Sequence, residues 1–381
     1  MGASPLPFTL GEFERRLERV RTSAAARGFD ALIITTPENV YYLTGYQTTG
    51  FYVSPLFLIV PQAIEPVFVA RYGERSNVEA KSWLRGVELY RDDEDPVARL
   101  LGLLQTVKPK RVGIEMESWL MTAAVYQKLL AGAASLDFKD CSGLVEEVRA
   151  TKSPEELAYV QAAARISNVA MRASIEAVVE GKADYEIAAA VYGCTISSGS
   201  EYPSDPPDAI VGPQTAQFHT TWNGQRARRG DVVMLDLAGV VKRYLAPIAR
   251  TVSIGEPPRH IAERYKIVLE ALDAGIAAMR PGATCSQVYE AIARPITKAG
   301  YEIPIKAGYS VGIAFPPRRS EYPGLNLLPS NHTELRPGMV IHAPRTIRVA
   351  GDQTPICGDT VLVTQSGYTV LTDFPRRLEI R

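Results

Sequence analysis

Four cysteines are few for 381 residues, and Cys141, Cys194, Cys285 and Cys357 lie far apart with no CxxC pair. They read as reduced thiols of a cytoplasmic protein rather than a disulfide framework. Net charge is missing too, because 42 Lys and Arg balance 42 Asp and Glu and no block of one sign occurs. The chain has no basic field for nucleic acid or an anionic membrane, which favours a small uncharged or zwitterionic partner. No apolar run reaches the roughly 18 residues of a membrane span, and the N-terminus lacks a basic stretch followed by an apolar one. Met1-Gly2 starts as a myristoylation signal does, but Leu6 stands where Ser or Thr is wanted, so neither anchor nor span is expected. What is plentiful is apolar residue, 46% of the chain, which excludes a disordered or collagen-like protein and predicts two or three domains.

Residues 1–150 alternate between patterns. Phe13, Leu17, Val20 and Ala24 share one helical face, and strands are predicted at 31–34, 56–60, 66–69 and 112–114, with helices near 74–84, 95–107 and 121–131. This is an α/β layered domain. Ser153-Pro154-Glu155-Glu156 supplies an N-cap, a proline at the first helical position and a glutamate at the third, so a second domain is placed at 151–381. Helices are predicted there at 154–180, 183–197, 258–279 and 285–299, the last opening on the capping pair Thr284 and Gln287. A hairpin of two long strands is expected from 232–237 and 244–254, with strand-like segments at 338–349 and 359–371. Two helix pairs, each followed by strands, suit an α+β domain with two similar halves.

Polar residues inside apolar strands, or at strand ends rich in glycine, are candidates for a site. Four occur in the second domain: His219 after Gly212-Pro213-Gln214, Asp236 in Leu235-Asp236-Leu237, Tyr309 in Gly308-Tyr309-Ser310, and His342 in Val340-Ile341-His342-Ala343. An imidazole titrating near pH 6.5 can take a proton from water and return it to a leaving nitrogen. Asp236, in a strand that reads as buried, needs a partner. Either Arg250 or Lys242 pairs with it across the hairpin, or it holds a planar substrate cation. Tyr309 either donates to an oxyanion or packs as an aromatic wall, and His342 is a cavity residue or a satisfied core histidine.

Tyr42-Leu43-Thr44-Gly45-Tyr46, Lys152-Ser153-Pro154-Glu155-Glu156, Arg229-Gly230-Asp231, Ala249-Arg250-Thr251, Leu335-Arg336-Pro337-Gly338-Met339 and Asp359-Thr360-Val361 follow one another in the order found in one family. Across nearly its whole length the chain resembles the creatinase/prolidase-like, pita-bread (M24) family. The resemblance implies a creatinase-type N-terminal domain, a pita-bread catalytic domain and a homodimer. Metal-dependent members hold two divalent ions with two Asp, one His and two Glu, and here those positions are Asp236, Pro247, Tyr309, a place near Pro344, and Gly358 or Cys357. One ligand of five survives, and four charges that would offset the cations are missing, so no metal and no cofactor is expected. The departure points to the metal-independent branch containing creatinase and ectoine hydrolase, with Phe51-Tyr52-Val53, Arg71, Ala246-Pro247, Phe315-Pro316-Pro317 and Pro375-Arg376-Arg377-Leu378 similar to the latter.

That branch implies hydrolysis of a C–N bond in a small zwitterionic amidine, cyclic amidine or guanidine, the alternatives within the family being a non-catalytic pita-bread binding protein and a metal-dependent Xaa-Pro aminopeptidase or lyase. His219 then serves as acid and base, Asp236 binds the cationic nitrogens, and Tyr309 and His342 stabilise developing charge. Cys357, where the family places a carboxylate, is either a thiolate nucleophile near His219 or an inert buried residue. Glu201 and Tyr202 are expected to recognise substrate, as are Phe51, Tyr52 and Arg71 from a partner chain, with Arg71 clamping a carboxylate.

Overall fold

The computed structural model describes residues 6–303 and 305–381, so Met1 and Gly2 lie outside the described residues. The chain separates into two compact units, Met1–Arg149 and Ala150–Arg381.

The first unit runs α1 (Leu10–Ala26), β1 (Ala31–Ile34), α2 (Pro37–Thr44), β2 (Phe57–Pro61), β3 (Val67–Arg71), α3 (Arg75–Lys81), β4 (Val87–Tyr90), α4 (Pro96–Val107), β5 (Arg111–Ile114), α5 (Ala123–Gly132), β6 (Asp137–Asp140) and α6 (Leu144–Ala150). Its six strands form one mixed sheet in the order β4-β3-β2-β1-β5-β6. The face of α1 bearing Phe13, Leu17, Val20 and Ala24 is buried, as its period requires. α2 is the element the pattern does not reveal. All eight of its residues are buried, so no polar face marks a helical period, and only Pro37 at its start and Gly45 in the left-handed region at its end (φ 78°) signal it. The short strands β4 and β6 also escape a hydrophobic reading, since Val87–Tyr90 and Asp137–Asp140 sit at the sheet edges with polar residues outward.

In the second unit follow α7 (Pro154–Ala177), α8 (Asp184–Ser197), β7 (Asp208–Val211), β8 (Val232–Val241), β9 (Tyr244–Ser253), α9 (Arg259–Ala278), α10 (Cys285–Lys298), β10 (Tyr309–Ser310), β11 (Val340–Thr346), β12 (Ile356–Val363), β13 (Tyr368–Val370) and β14 (Glu379–Ile380). Six of these strands run in the order β10-β11-β12-β9-β8-β7, with β13 pairing β12 and β14 pairing β9. The caps read from sequence form. Ser153 Oγ accepts from Glu156 N while Glu156 accepts from Ser153 N (2.8 Å), and Thr284 and Gln287 repeat the exchange at α10. β8 runs on past Ala238-Gly239 to a two-residue turn in which Lys242 and Arg243 both have positive φ (47° and 63°), the geometry that matches strand twist. Gly239 is required there because a Cβ would lie 2.5 Å from the Ala163 carbonyl oxygen of α7.

One face of the sheet is covered by helices. α7 and α8 bury Met171, Ile187 and Val191 with Val233, Leu235 and Leu237, and α9 and α10 bury Val268, Leu272 and Ile292 with Ile341, Cys357 and Val361. The opposite face is left to form a cavity.

Candidate functional site

A cavity of about 790 Å³ lies in the second unit. Side chains alternate across a strand, so residues opposite one another in register share a face. Asp208 of β7 stands opposite Asp236 of β8, Asp236 opposite Ala249 of β9, Ala249 opposite Gly358 of β12, and Gly358 opposite Pro344 of β11. Tyr309 of β10 completes the row beside His342. Met234 and Ile356, packed with Ile210 and Ala249, give an apolar floor.

Onto this floor reaches Arg319, from the segment between β10 and β11. Its Nη1 donates to Asp236 Oδ1 at 2.7 Å, its Nη2 lies 2.6 Å from Asp205 Oδ2, and its Nε donates to Asp205 Oδ1. Burial acts to lower the Arg319 pKa, but the Asp236 and Asp205 carboxylates override it and hold the guanidinium charged. The Asp236 pKa is raised by burial, with Arg319 offsetting part of the effect. Asp208 forms no ion pair at this range among the described residues. Burial, then repulsion from Asp236, pushes its carboxyl up to about 7, although Arg319 and Arg348 both act to lower it. An acid titrating there, on a cavity wall, suits proton transfer or a cationic ligand. The Tyr309 hydroxyl is raised by burial, so it stays protonated and able to donate.

His219 sits at the rim, solvent-exposed, on the loop after β7. Its backbone is left-handed (φ 54°), which a side chain of this size adopts at a cost of order 1–3 kcal/mol. Arg348 fixes that loop by donating from Nη1 to the carbonyls of Thr215 (2.7 Å) and Gln217 (2.8 Å), and its guanidinium lies over the Phe218 ring. His219, Asp236 and Tyr309 therefore do line one cavity, and Asp205, Asp208 and Arg319 join them.

Other expected residues go elsewhere. Arg250 does not meet Asp236. It is opposite Leu235, hence on the other face, and pairs with Asp359 at 2.9 Å and with the carbonyls of Gly358, Phe374 and Pro375. Cys357 follows Ile356 and so points away from the cavity, into the core beneath α9. It is fully buried there, and burial pushes its thiol up to about 11. Neither access nor ionisation suits a nucleophile. His342 is fully buried on the cavity side of β11, behind Tyr309, with the two ring centres 5.5 Å apart. Its Nδ1 lies 3.1 Å from the Asp359 carbonyl, which can only accept, so Nδ1 carries the proton and Nε2 is a bare acceptor without a partner. Burial holds its pKa well below the usual range, and a neutral acceptor cannot stabilise negative charge.

Glu201 and Tyr202 serve Arg243. Glu201 Oε2 accepts from the Arg243 backbone, and the guanidinium stacks 4.0 Å from the Tyr202 ring centre. Phe51 is buried against Tyr46 in the first unit, Tyr52 is 52% exposed, and Arg71 is held by Asp92 through two hydrogen bonds of 2.5 and 2.6 Å.

The sequence reading passed over Asp205, Asp208 and Arg319. Asp208 heads the apolar strand Ala209-Ile210-Val211 and meets the same criterion as Asp236. Arg319 carries no such signal, because its partners lie 83 and 114 residues away.

Residues 158–365 match the model of metallopeptidase family M24, and residues 16–151 match the creatinase/prolidase N-terminal domain. Among curated proteins the chain is 32% identical over 397 aligned positions to ectoine hydrolase of Halomonas elongata, covering 99% of each. It is 29% identical to an uncharacterized hydrolase/peptidase of Sinorhizobium fredii, again over 99% of each. Its fold is that of solved prolidases from Thermococcus sibiricus (TM-score 0.89, 24% identity, 97% of this chain and 99% of that one) and Pyrococcus horikoshii (0.85, 25%, 96% and 99%). These are pita-bread proteins.

A metallopeptidase family implies metal, and the donors here do not fit one. Asp236 is engaged by Arg319, while Pro247, Pro344 and Gly358 offer no side-chain ligand and Tyr309 is a protonated phenol. Among the described residues no group of three or more His, Cys, Asp or Glu is arranged to hold an ion.

Proposed function

Because the chain belongs to metallopeptidase family M24, we propose that its cavity is a hydrolytic site that has turned from peptides to a non-peptide C–N bond, in a small zwitterionic amidine, cyclic amidine or guanidine. The observation that carries this reading is a cavity lined by charges of both signs, as a zwitterion requires: Asp205, Asp208 and Asp236 gathered around Arg319 on one side, with Lys306, Arg345 and Arg348 also on its lining. The likeness to a protein named ectoine hydrolase supports it.

Water attacks the amidine carbon as its proton passes to His219. The new O–C bond forms, the C–N bond breaks, and the nitrogen leaves with a proton. Tyr309 donates to the oxygen as charge develops, and Asp208, the carboxyl that Arg319 does not pair with, faces the cationic nitrogens while Asp236 stays held by Arg319. No cofactor takes part. The working form is a cytoplasmic homodimer, which light scattering on the purified protein would test.

Proton NMR of ectoine, creatine and related cyclic amidines, incubated with metal-analysed protein, tests the reaction. Ring opening of ectoine that disappears in His219→Ala is the expected result. The reading fails if every compound is untouched. The prolidase fold favours one other reading, an Xaa-Pro peptidase. Release of proline from Xaa-Pro dipeptides together with stoichiometric manganese or zinc would establish it.

A further inference from the structure

Three cavity carboxyls, Asp205, Asp208 and Asp236, converge from the loop before β7, β7 and β8, and of the cations lining the cavity (Lys306, Arg318, Arg319, Arg345 and Arg348) Arg319 is the one that forms ion pairs with two of them among the described residues. Arg319 is suited to the task in a way lysine is not. Its planar fork holds both oxygens of Asp205 while the remaining nitrogen reaches Asp236, three charge-assisted bonds from one side chain whose exposure is only 13%. Buried carboxylates without an opposite charge are costly, and a divalent ion is the usual remedy in a site of oxygen donors. Of the buried arginines on the sheet strands, Arg250 of β9 is closed off by Asp359 and main-chain carbonyls on the far face, and Arg345 of β11 borders the cavity with no carboxylate partner among the described residues. Arg319 alone borders the cavity with such partners among the described residues.

We propose that Arg319 is a cation built into the chain that takes the charge-balancing place of a metal ion, tying Asp205 to Asp236 and leaving the acidic wall with carboxyl to spare for one amidinium or guanidinium group. The ligand class rests on the proposed function, whereas the balancing role does not. Removing the guanidinium leaves two carboxylates facing each other, and a cation able to engage both at once, a divalent ion or a planar guanidinium but not a monovalent ion such as sodium, then stabilises the fold by mass action.

The test compares melting of the full chain, wild type against Arg319→Ala, with manganese chloride, methylguanidinium chloride or sodium chloride at matched ionic strength. The wild type should not respond specifically. Arg319→Ala should melt lower and recover several degrees with millimolar manganese or methylguanidinium but not with sodium. If the alanine variant does not fold, Arg319→Lys takes its place. Its single ammonium cannot satisfy both carboxylates, so it too should respond to manganese.

A variant that responds no more than the wild type overturns the proposal, as does wild-type protein that binds manganese stoichiometrically. Since no substrate enters the measurement, a chain that hydrolyses none of the amidines loses the proposed function while this result stands by itself.

Discussion

Each unit buries a cluster of carboxyl groups, and the two are finished differently. In the first, Glu115 accepts from the backbone N–H groups of Thr35 and Thr36 (both 2.7 Å), at the entry to α2, and from Asn39, whose amide also reaches Glu146. In the second, Asp208 and Asp236 face a cavity and the cation beside them is Arg319. Burial and a neighbouring carboxylate push both Glu115 and Asp208 up to about 7. The shift therefore does not distinguish a structural acid from a chemical one. Access does: Glu115 spends its oxygens holding a helix start, whereas Asp208 leaves its own to whatever enters.

That contrast can be broken or sharpened by experiment. The largest effect is expected at the rim of the cavity. His219→Ala should lower turnover about 10²–10⁴-fold, because a general base is lost, with melting unchanged since the ring is exposed. Steady-state kinetics beside calorimetry would show it. Next comes Glu115→Ala, which orphans two backbone donors and an amide. A loss of about 2–4 kcal/mol in urea unfolding is expected, with activity per folded molecule retained.

The pH dependence follows from the same group. Folded Glu115 keeps a proton to about pH 7 that the unfolded chain releases near its usual 4.5, so its contribution to stability is full below the lower value and is lost as pH rises through the upper one. Glu115→Gln should flatten that decline in urea midpoints taken from pH 5 to pH 8. If the decline persists unchanged, Asp208→Asn is the variant to compare, since its shift has the same sign.

Smaller still, Cys357→Ala should cost about 1 kcal/mol of packing and leave turnover intact, and the native thiol should resist alkylation. Complete loss of activity in that variant would restore the thiolate mechanism. Arg71→Ala should leave the melting midpoint where it is, because its pairing with Asp92 is solvent-exposed. A rise in KM would be the sign that it meets substrate.

Much of this molecule is legible from its residues. Ser153 and Glu156, Thr284 and Gln287, and the long hairpin of β8 and β9 are local features set by hydrogen bonds three residues apart or by a two-residue turn. The order of short motifs identified the family, and by that resemblance the expected ligand positions fall at Pro247, Tyr309, near Pro344, and at Gly358 or Cys357. α2 was hidden because a helix buried on every side has no period to read. The pairing of Arg250 with Asp236 and the nucleophile reading of Cys357 fall for one shared reason, while the inert reading of Cys357 stands. A strand reverses its side chains at each residue, so a neighbour in sequence can lie on the opposite face of the sheet.

By itself, then, the sequence determined the helices with their caps, the long hairpin, the family, and His219, Asp236 and Tyr309 as polar intrusions worth notice. Tertiary structure alone decided which faces those strands turn to the cavity and which cation meets Asp236. The partner is Arg319, 83 residues away. Separation of that size leaves no trace in a local pattern, because the contact forms only when a sheet and the segment beyond it close on each other, and the cost of burying the Asp236 carboxylate is then met by the Arg319 guanidinium.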